Sequence, residues 1–373
     1  MDRTIGFAWK DSSLVSRFRS GVCLHGHTLH SEECLDFLPG YLHKAPVVSQ
    51  IVSGYQQGPQ QINFARAFWT PPMSPAAALR LERKQIEALR LRPLVSLTDH
   101  DTIEAGMSLQ VAADPREVPV SVEWTVPYAR SIFHFGIHNL PPASAREIMS
   151  MLTAFTVAPD EDLLPGLLRG LAQTPDVLVV LNHPLWLEEG ITRADHDIAL
   201  PRLLRECNRS IHAFELNGTR GWKENLAVIE LAQMHNRPLI SGGDRHACEP
   251  SACINLTNAA SFAEFVAEIR QGVSMPYFMP HYREPMALRI IEMAWDVLRP
   301  YPGQPGRERW TDRIFYRDDD GVTRSLTELW RKRTPWVMTA PLKTLTAFLR
   351  LLAAPELRFA LRPFLTERGE ILP

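Results

Sequence analysis

The chain has 373 residues, 45% apolar and 22% charged, which is enough to bury the core of one large domain or two smaller ones. Its net charge of −2 provides no global basic field that would gather long nucleic acid, so such a partner is not expected. The five cysteines include no C-x-x-C pair, and the sequence shows neither a signal-like start nor an apolar run of about 20 residues, so we expect a cytoplasmic protein.

Five apolar stretches predict buried strands, and each stretch ends at a side chain of a type that binds metals. They are Val22–His27, Pro93–His100, Val118–Glu123, Val177–His183 and Pro238–His246. Continuous apolar runs of this length are typical of strands in parallel sheets. Because the carboxyl ends of such strands meet on one rim of a barrel, the pattern predicts an α/β barrel with a metal site on that rim.

Helical patterns alternate with these stretches, which is the signature of βα units. Ser74 followed by Pro75 predicts a helix start, and Ser144 with Glu147 has the spacing of a capping box. Residues 37–73 lie between the first strand and the first helix and are rich in Pro, Gly and Gln. A loop of this length predicts either a lid over the site or a disordered insertion.

The character of the chain changes after residue 281. Residues 282–373 carry 16 Lys and Arg against 12 Asp and Glu and end in helical patterns. We therefore expect a barrel over residues 1–281 and a mainly helical C-terminal extension packed against it. The alternative, which the pattern does not favour, is a basic amphipathic surface that contacts a membrane or a partner.

The first three strand ends carry two histidine motifs and a carboxylate. His25 and His27 are two residues apart on a predicted strand, so both imidazoles face the same side. Asp99 precedes His100, either as the partner that orients a metal-binding histidine or as a helix cap. Glu123 ends an apolar run, where a carboxylate is costly to bury unless it is paired or bound to metal.

The later strands add further ligand types. His134 and His138 share one face of a strand, and either could instead be a core histidine. His183 precedes a proline that ends its strand, whereas Asp244 and His246 lie two residues apart after a Gly-Gly pair. Histidine and carboxylate groups bind zinc, manganese and iron, so six such sites at strand ends predict a metal centre.

In chain order the motifs run H-x-H-T-x-x-S, L-T-D-H-D-T, V-E, a single histidine, N-H-P and G-G-D-x-H, from Val22 to Ala247. This order resembles the PHP (polymerase and histidinol phosphatase) family of metal-dependent phosphoesterases over roughly 60% of the chain. The resemblance implies a distorted (β/α)7 barrel, here with a C-terminal helical extension. It also implies two or three divalent metal ions (Zn, Mn or Fe) on the rim of the barrel.

The resemblance further implies a ligand set. A first ion would be held by His25, His27, Glu123 and Asp244, a second by Glu123 as a bridge with His134 and His183, and a third by His100 and His246. The family often has Asp where this chain has Glu32, so Glu32 is the expected third-site carboxylate, with Glu33 and His30 as alternatives. Glu215 is expected to support the metals or the substrate rather than to bind an ion.

The expected activity is hydrolysis of a phosphate ester, in particular a small phosphomonoester, by a metal-bridging hydroxide. Asp99, His246 and Arg245 are the predicted catalytic side chains, and Arg220 and Arg130 are further groups that could hold a phosphate. Two alternatives stay open. One is a phosphodiesterase or nuclease that acts on cyclic or short nucleotides, and the other is a non-catalytic, metal-binding interaction module.

Overall fold

The computed structural model describes residues 5–36, 63–111, 118–332 and 347–365. Most of the segment predicted as a lid, residues 37–73, therefore lies outside the described residues. The strands in chain order are β1 (Gly6–Phe7), β2 (Ser20–Cys23), β3 (Glu33–Cys34), β4 (Ala67–Trp69), β5 (Arg92–Val95), β6 (Val120–Tyr128), β7 (Ser131–Leu140), β8 (Leu178–Asn182), β9 (Ala213–Asn217), β10 (Leu239–Gly242), β11 (Cys253–Thr257), β12 (Pro276–Phe278), β13 (Ile314–Arg317) and β14 (Thr323–Ser325).

Helices follow most of the long strands. They are α1 (Pro75–Glu87), α2 (Glu104–Leu109), α3 (Ala145–Val157), α4 (Leu164–Gln173), α5 (Arg193–Cys207), α6 (Trp222–Met234), α7 (Phe262–Arg270), α8 (Met286–Leu298), α9 (Leu326–Lys332) and α10 (Pro355–Leu365). Each of the five apolar stretches overlaps a strand, which confirms that part of the prediction, although β2 ends at Cys23 and leaves His25 and His27 just beyond it. No helix in the described part of the chain is long and apolar enough to cross a membrane.

Two five-stranded sheets form the body of the molecule, with the orders β1-β12-β11-β2-β5 and β10-β9-β8-β7-β6. The pairs β2–β5, β8–β9 and β9–β10 are parallel, as predicted. However, β7 is antiparallel to both β6 and β8. For β6 and β7 the reason is local: Ala129 and Arg130 both have positive φ and form a two-residue turn, and so short a turn can join only antiparallel strands.

The two sheets meet at β5 with β6 and at β2 with β10, but they do not close into a continuously hydrogen-bonded barrel within the described residues. Single parallel bridges connect Gly26 with Arg245 and His100 with Glu123. The strands β2, β5 and β10 are only four residues long, so at this rim the sheets touch through isolated residue pairs. The architecture is mixed α/β, and the predicted site residues gather where these bridges form.

An apolar core lies between the sheets, below that rim. It combines inward-facing strand residues with the buried face of α7, namely Val22, Leu94, Leu178, Val180, Ala213, Ile240, Phe262 and Phe265. Burying a side chain of this size stabilises the fold by about 1.5–3 kcal/mol. The core therefore fixes the strand ends that carry the polar groups.

The two predicted helix starts have different outcomes. Helix α1 begins at Pro75, and the Ser74 hydroxyl accepts a hydrogen bond from Ala77 N at 3.3 Å, which confirms the cap. Helix α3 begins one residue after Ser144, but the Ser144 side chain makes no capping bond, so the capping-box prediction is wrong. Packing determines α3 instead: the ring of Phe155 meets that of Trp124 edge-on, with 5.5 Å between centroids.

A third sheet has the order β14-β13-β4-β3 and combines distant parts of the chain. Strands β13 and β14 belong to the C-terminal extension, which was predicted to be mainly helical, whereas β3 and β4 flank residues 37–62. The β13–β14 hairpin forms because the Asp318 carboxylate accepts from Asp320 N and Val322 N and so stabilises the turn. We call this four-stranded unit the outer sheet.

Candidate metal centre

Glu123 is at the middle of the rim. It lies on β6 and is fully buried, and imidazoles surround both of its carboxylate oxygens. Oε2 lies 2.8 Å from His25 Nε2, 3.4 Å from His27 Nε2 and 3.5 Å from His100 Nδ1. The charges of His25 and His100 outweigh the effect of burial and hold the pKa of Glu123 well below its usual range. The group is therefore ionised.

The other oxygen of Glu123 faces a second set of side chains. Oε1 lies 3.1 Å from His183 Nε2 and 3.6 Å from His134 Nδ1, and it accepts a hydrogen bond from Asn182 Nδ2 at 3.0 Å. His134 and Asn182 are opposite each other in the β7–β8 ladder, which fixes their separation. Each oxygen of one carboxylate thus belongs to a different histidine set.

A second carboxylate holds His25 in place. His25 Nδ1 lies 2.7 Å from Glu215 Oε1, which leaves Nε2 directed at Glu123. Gly242 permits this contact, because a Cβ at that position would lie 1.6 Å from Glu215 Oε1. A carboxylate on the distal nitrogen is the usual partner of a metal-binding histidine. Glu215 therefore has the position of a supporting group.

Asp244 completes this side of the centre. It lies two residues beyond β10 with a φ of 49°, and its Oδ1 is 3.5 Å from His25 Nε2 and 3.4 Å from His27 Nε2. The other oxygen, Oδ2, accepts hydrogen bonds from Asn217 at 3.1 Å and Thr219 at 2.9 Å. These two donors leave Oδ1 directed at the histidines.

A further donor group consists of His27, Glu33, His100 and His246. Glu33 Oε2 lies 3.2 Å from His246 Nε2 and 3.6 Å from His100 Nε2. Three imidazoles outweigh the effect of burial and lower the pKa of Glu33. His30 lies outside the donor groups found among the described residues.

The expectation that Glu32 supplies the third-site carboxylate is corrected. Glu32 and Glu33 are neighbours at the start of β3, and successive side chains on a strand face opposite sides. Glu33 faces the histidines, whereas Glu32 faces away, is half-exposed and pairs with Arg317 at 3.0 Å. The one-residue offset, not the length of the side chain, determines which glutamate is at the centre.

The donor atoms fit divalent ions. Among the described residues there are four overlapping groups of at least three donors, with the donor atoms of each group within 4.8 Å of one another: His27, Glu33, His100 and His246; His25, Glu123 and His183; His25, His27 and Asp244; His100, Glu123 and His134. In the described part of the chain, the buried atoms His27 Nε2 and Glu33 Oε1 have no hydrogen-bond partner. Buried polar atoms are seldom left unpaired, and an ion would satisfy both. Imidazole and carboxylate donors suit zinc, manganese or iron.

Two predicted catalytic side chains do not face this centre. Asp99 is fully buried, and its carboxylate accepts hydrogen bonds from the backbone and hydroxyl of Thr28; burial raises its pKa to about 7. Arg245 is also buried and donates to Glu82 at 2.6 Å and to the carbonyl of Ala247. Both groups stabilise the strand ends, so a direct catalytic role for them is not supported. His246, the third, does lie in the centre.

The arginines differ as well. Arg130 is largely exposed and lies 3.8 Å from Asp195, away from the donor groups. Arg220 lies beside the centre, with Nη2 3.7 Å from Asp244 Oδ2. Its guanidinium is 3.5 Å from the ring centroid of Trp186, and its buried Nε has no hydrogen-bond partner in the described part of the chain.

The position of Trp186 beside Arg220 could not be predicted from the sequence, because an aromatic residue in a loop carries no motif. Asn182 and Glu188 were not predicted either, although Asn182 precedes the N-H-P histidine. His138, one of two open possibilities, is a core histidine: its Nδ1 lies 2.8 Å from Ser96 Oγ, and burial lowers its pKa to about 3. Such roles depend on contacts between strands that are far apart in the sequence.

Comparisons with known proteins add little. No family model and no curated protein matches the chain. Among solved structures, PsfC from Pseudomonas syringae is 13% identical (58% of this chain, 89% of that chain, TM-score 0.39). A Chromobacterium violaceum amidohydrolase, with bound sulfate and no metal, is 17% identical (60% of this chain, 87% of that chain, TM-score 0.34). A Bifidobacterium adolescentis protein provisionally described as a metal-dependent phosphoesterase is 13% identical (54% of this chain, 92% of that chain, TM-score 0.35). These TM-scores are too low to bear on function.

Proposed function

We propose that this chain is a metal-dependent hydrolase of a small phosphomonoester. The observation that carries the proposal is the position of Glu123, whose Oε2 is 2.8 Å from His25 Nε2 and whose Oε1 is 3.1 Å from His183 Nε2, so that both oxygens have imidazole neighbours. A carboxylate placed in this way fits a bridge between two cations. Purely structural zinc sites use four ligands, and more than four potential metal-binding side chains converge here.

The charge of the centre supports a phosphate substrate. Glu33, Glu123, Glu215 and Asp244 carry four negative charges if all are ionised, which two divalent ions would neutralise. A third ion and the nearby guanidinium of Arg220 would make the centre positive, as recognition of a dianionic phosphoryl group requires. Bound divalent ions supply an activated water and neutralise charge on the phosphoryl oxygens.

The chain's own residues orient the reaction. Asn182 and the histidines hold the Glu123 carboxylate, and Glu215 fixes the ring of His25. The face of Trp186 fixes the guanidinium of Arg220, which is proposed to bind an oxyanion beside Asp244. The sequence predicted His246 both as a metal ligand and as a catalytic side chain. Its contact with Glu33 at 3.2 Å supports the proposal that it binds metal together with Glu33.

The adjacent cavity is small. Its lining includes His134, Asn182, His183, Trp186 and Glu188, and it has room for about one water molecule. The net charge of −2 provides no general attraction for nucleic acid.

The strand arrangement supports a finer fold proposal. If the Gly26–Arg245 and His100–Glu123 bridges are counted as contacts between neighbouring strands, β2, β5, β6, β7, β8, β9 and β10 surround the apolar core. We interpret this set as a strongly distorted seven-stranded barrel of the kind that the PHP resemblance implies.

The test combines elemental analysis of purified protein with rate measurements on matched phosphomonoesters and phosphodiesters. We expect two or three bound divalent ions per chain and faster hydrolysis of the monoesters. Faster hydrolysis of cyclic or short diesters would replace this assignment with a phosphodiesterase. Metal binding without hydrolysis of either class would favour an interaction module.

A further inference from the structure

The outer sheet connects the C-terminal extension to the candidate metal centre. Glu33 on β3 is directly opposite Trp69 on β4, and Trp69 is directly opposite Ile314 on β13. Paired residues project from the same face of a sheet, so these three share the inner face. The Trp69 ring is 6.1 Å from that of His246, which confirms that this face meets the centre.

The opposite face of the outer sheet is held by the extension. Phe68 pairs with Phe315, their rings are stacked with 5.3 Å between centroids, and Phe68 is buried. The Arg317 guanidinium lies 5.4 Å from the Phe68 ring and pairs with Glu32 at 3.0 Å. These contacts keep β13, β4 and β3 aligned.

One buried arginine joins β4 of this sheet to helix α8 of the extension. The carbonyl of Arg313 accepts from Thr70 N at 2.9 Å, just beyond β4. The Arg313 residue is only 2% exposed, and its guanidinium donates hydrogen bonds to the carbonyls of Val297 and Arg299 at the end of α8. The extension is therefore fixed to the strand next to β3, in addition to the direct hold on this segment by Ser31, whose Oγ lies 3.2 Å from His27 Nδ1 and accepts from His100 N at 3.1 Å.

A two-residue strand has little means of holding its own register. β3 contains only Glu33 and Cys34, and β4 contains three residues. A shift by one residue would exchange Glu33 for Glu32 at the centre, because side chains alternate along a strand. The ladder to β13 and the Glu32–Arg317 pair both oppose such a shift.

We propose that residues 313–317 of the C-terminal extension position Glu33 for metal binding, so that the extension is part of the metal centre and not a separate module. The proposal rests on the proposed metal-dependent function. Phe315 and Arg317 are positioning residues: they touch neither metal nor substrate and act through β4 and β3. The effect is confined to the donor group of His27, Glu33, His100 and His246, since the other three groups contain no residue of the outer sheet.

The test is equilibrium dialysis of Mn²⁺ against chelator-treated full-length protein. We expect Phe315→Ala with Arg317→Ala to weaken one class of bound Mn²⁺ by about 10-fold and to leave the other classes unchanged. Glu33→Gln should weaken the same class of bound Mn²⁺. A variant with Phe315→Leu in place of Phe315→Ala keeps an apolar side chain and should retain most of the affinity. Arg317→Ala alone changes a half-exposed side chain and serves as the milder variant if the double variant does not fold.

Arg358→Ala is the matched control. It removes a contact of 2.9 Å with Glu292 that joins α10 to α8 and does not touch the outer sheet. If Arg358→Ala weakens the same Mn²⁺ class equally, or if the Phe315 and Arg317 variants weaken no class or all classes, the positioning role is wrong. If Glu33→Gln itself affects no class, the donor group of Glu33 is not a metal site and this inference fails, whereas the proposed function, which rests on Glu123, is tested separately by Glu123→Gln. If Glu33→Gln weakens one class and the Phe315 and Arg317 variants do not, the proposed function stands and the positioning role of residues 313–317 is wrong.

Discussion

The carboxylate of Glu123 lies 2.8 Å from the imidazole Nε2 of His25, and both groups are buried at the meeting point of the two main sheets. Burial disfavours protonated His25, but the charges of Glu123, Glu215 and Asp244 outweigh it and raise the pKa of His25 well above its usual value. A proton on His25 and a divalent ion are alternative ways to balance the same carboxylates. Metal binding and proton release are thus expected to be linked.

Glu123→Gln is expected to remove at least one metal equivalent and to lower kcat/KM by at least about 100-fold, since one ligand and one balancing charge are lost. The amide keeps the shape of the side chain, so the fold should survive. Elemental analysis and initial rates measure the effect, with Glu147→Gln on the exposed face of α3 as the control. Full metal content together with full activity would show that Glu123 is not a bridge.

Removal of metal is expected to lower the midpoint of thermal unfolding by roughly 5 °C, because ions bind the folded state far better than the unfolded chain. The buried carboxylates Glu33, Glu123 and Asp244 would also repel one another more strongly without them. Differential scanning calorimetry before and after chelation, followed by return of the metal, measures this change. A midpoint that does not move would argue against a buried multi-metal centre.

Arg220→Gln is expected to lower kcat/KM for a phosphomonoester by about 10–100-fold, the usual loss for a hydrogen bond to a charged group. The loss should occur mainly through KM, with metal content unchanged. Arg130→Gln, which changes an exposed arginine away from the centre, is the control and should have no effect. Loss of metal in Arg220→Gln would instead show that this side chain supports Asp244.

His212 provides a pH test that is independent of the metal centre. Its Nδ1 accepts a hydrogen bond from Val179 N at 2.9 Å, and burial, with the nearby charges of Arg270 and Arg237, lowers its pKa to about 4. Between pH 4 and about 6.5 the unfolded chain binds this proton more readily, so stability falls as the pH falls through that window.

In chelator-treated protein, His212→Asn should reduce the loss of unfolding free energy between pH 7 and pH 5 by about 1–2 kcal/mol relative to the unsubstituted chain. Urea unfolding at the two pH values measures this difference. Equal losses in both proteins would mean that His212 is already protonated in the folded state.

The sequence by itself determined the ligand types and the strands that carry them. Apolar runs that end in His27, His100, Glu123, His183 and His246 predicted both the buried strands and a shared rim, because strand formation and burial depend on local composition and pattern. The helix start at Ser74 was predictable for the same reason, since capping involves groups only a few residues apart.

Only the tertiary structure decided which of the candidate side chains face the centre, because that depends on contacts between residues far apart in the sequence. The choice of Glu33 over Glu32 follows from pairing with β4 and β13, and the pairing of Arg245 with Glu82 removed a predicted catalytic group. Arg220 gained its place through Trp186 on another loop. The direction of a side chain is fixed by register and packing, and those are set by strands that meet only when the chain has folded.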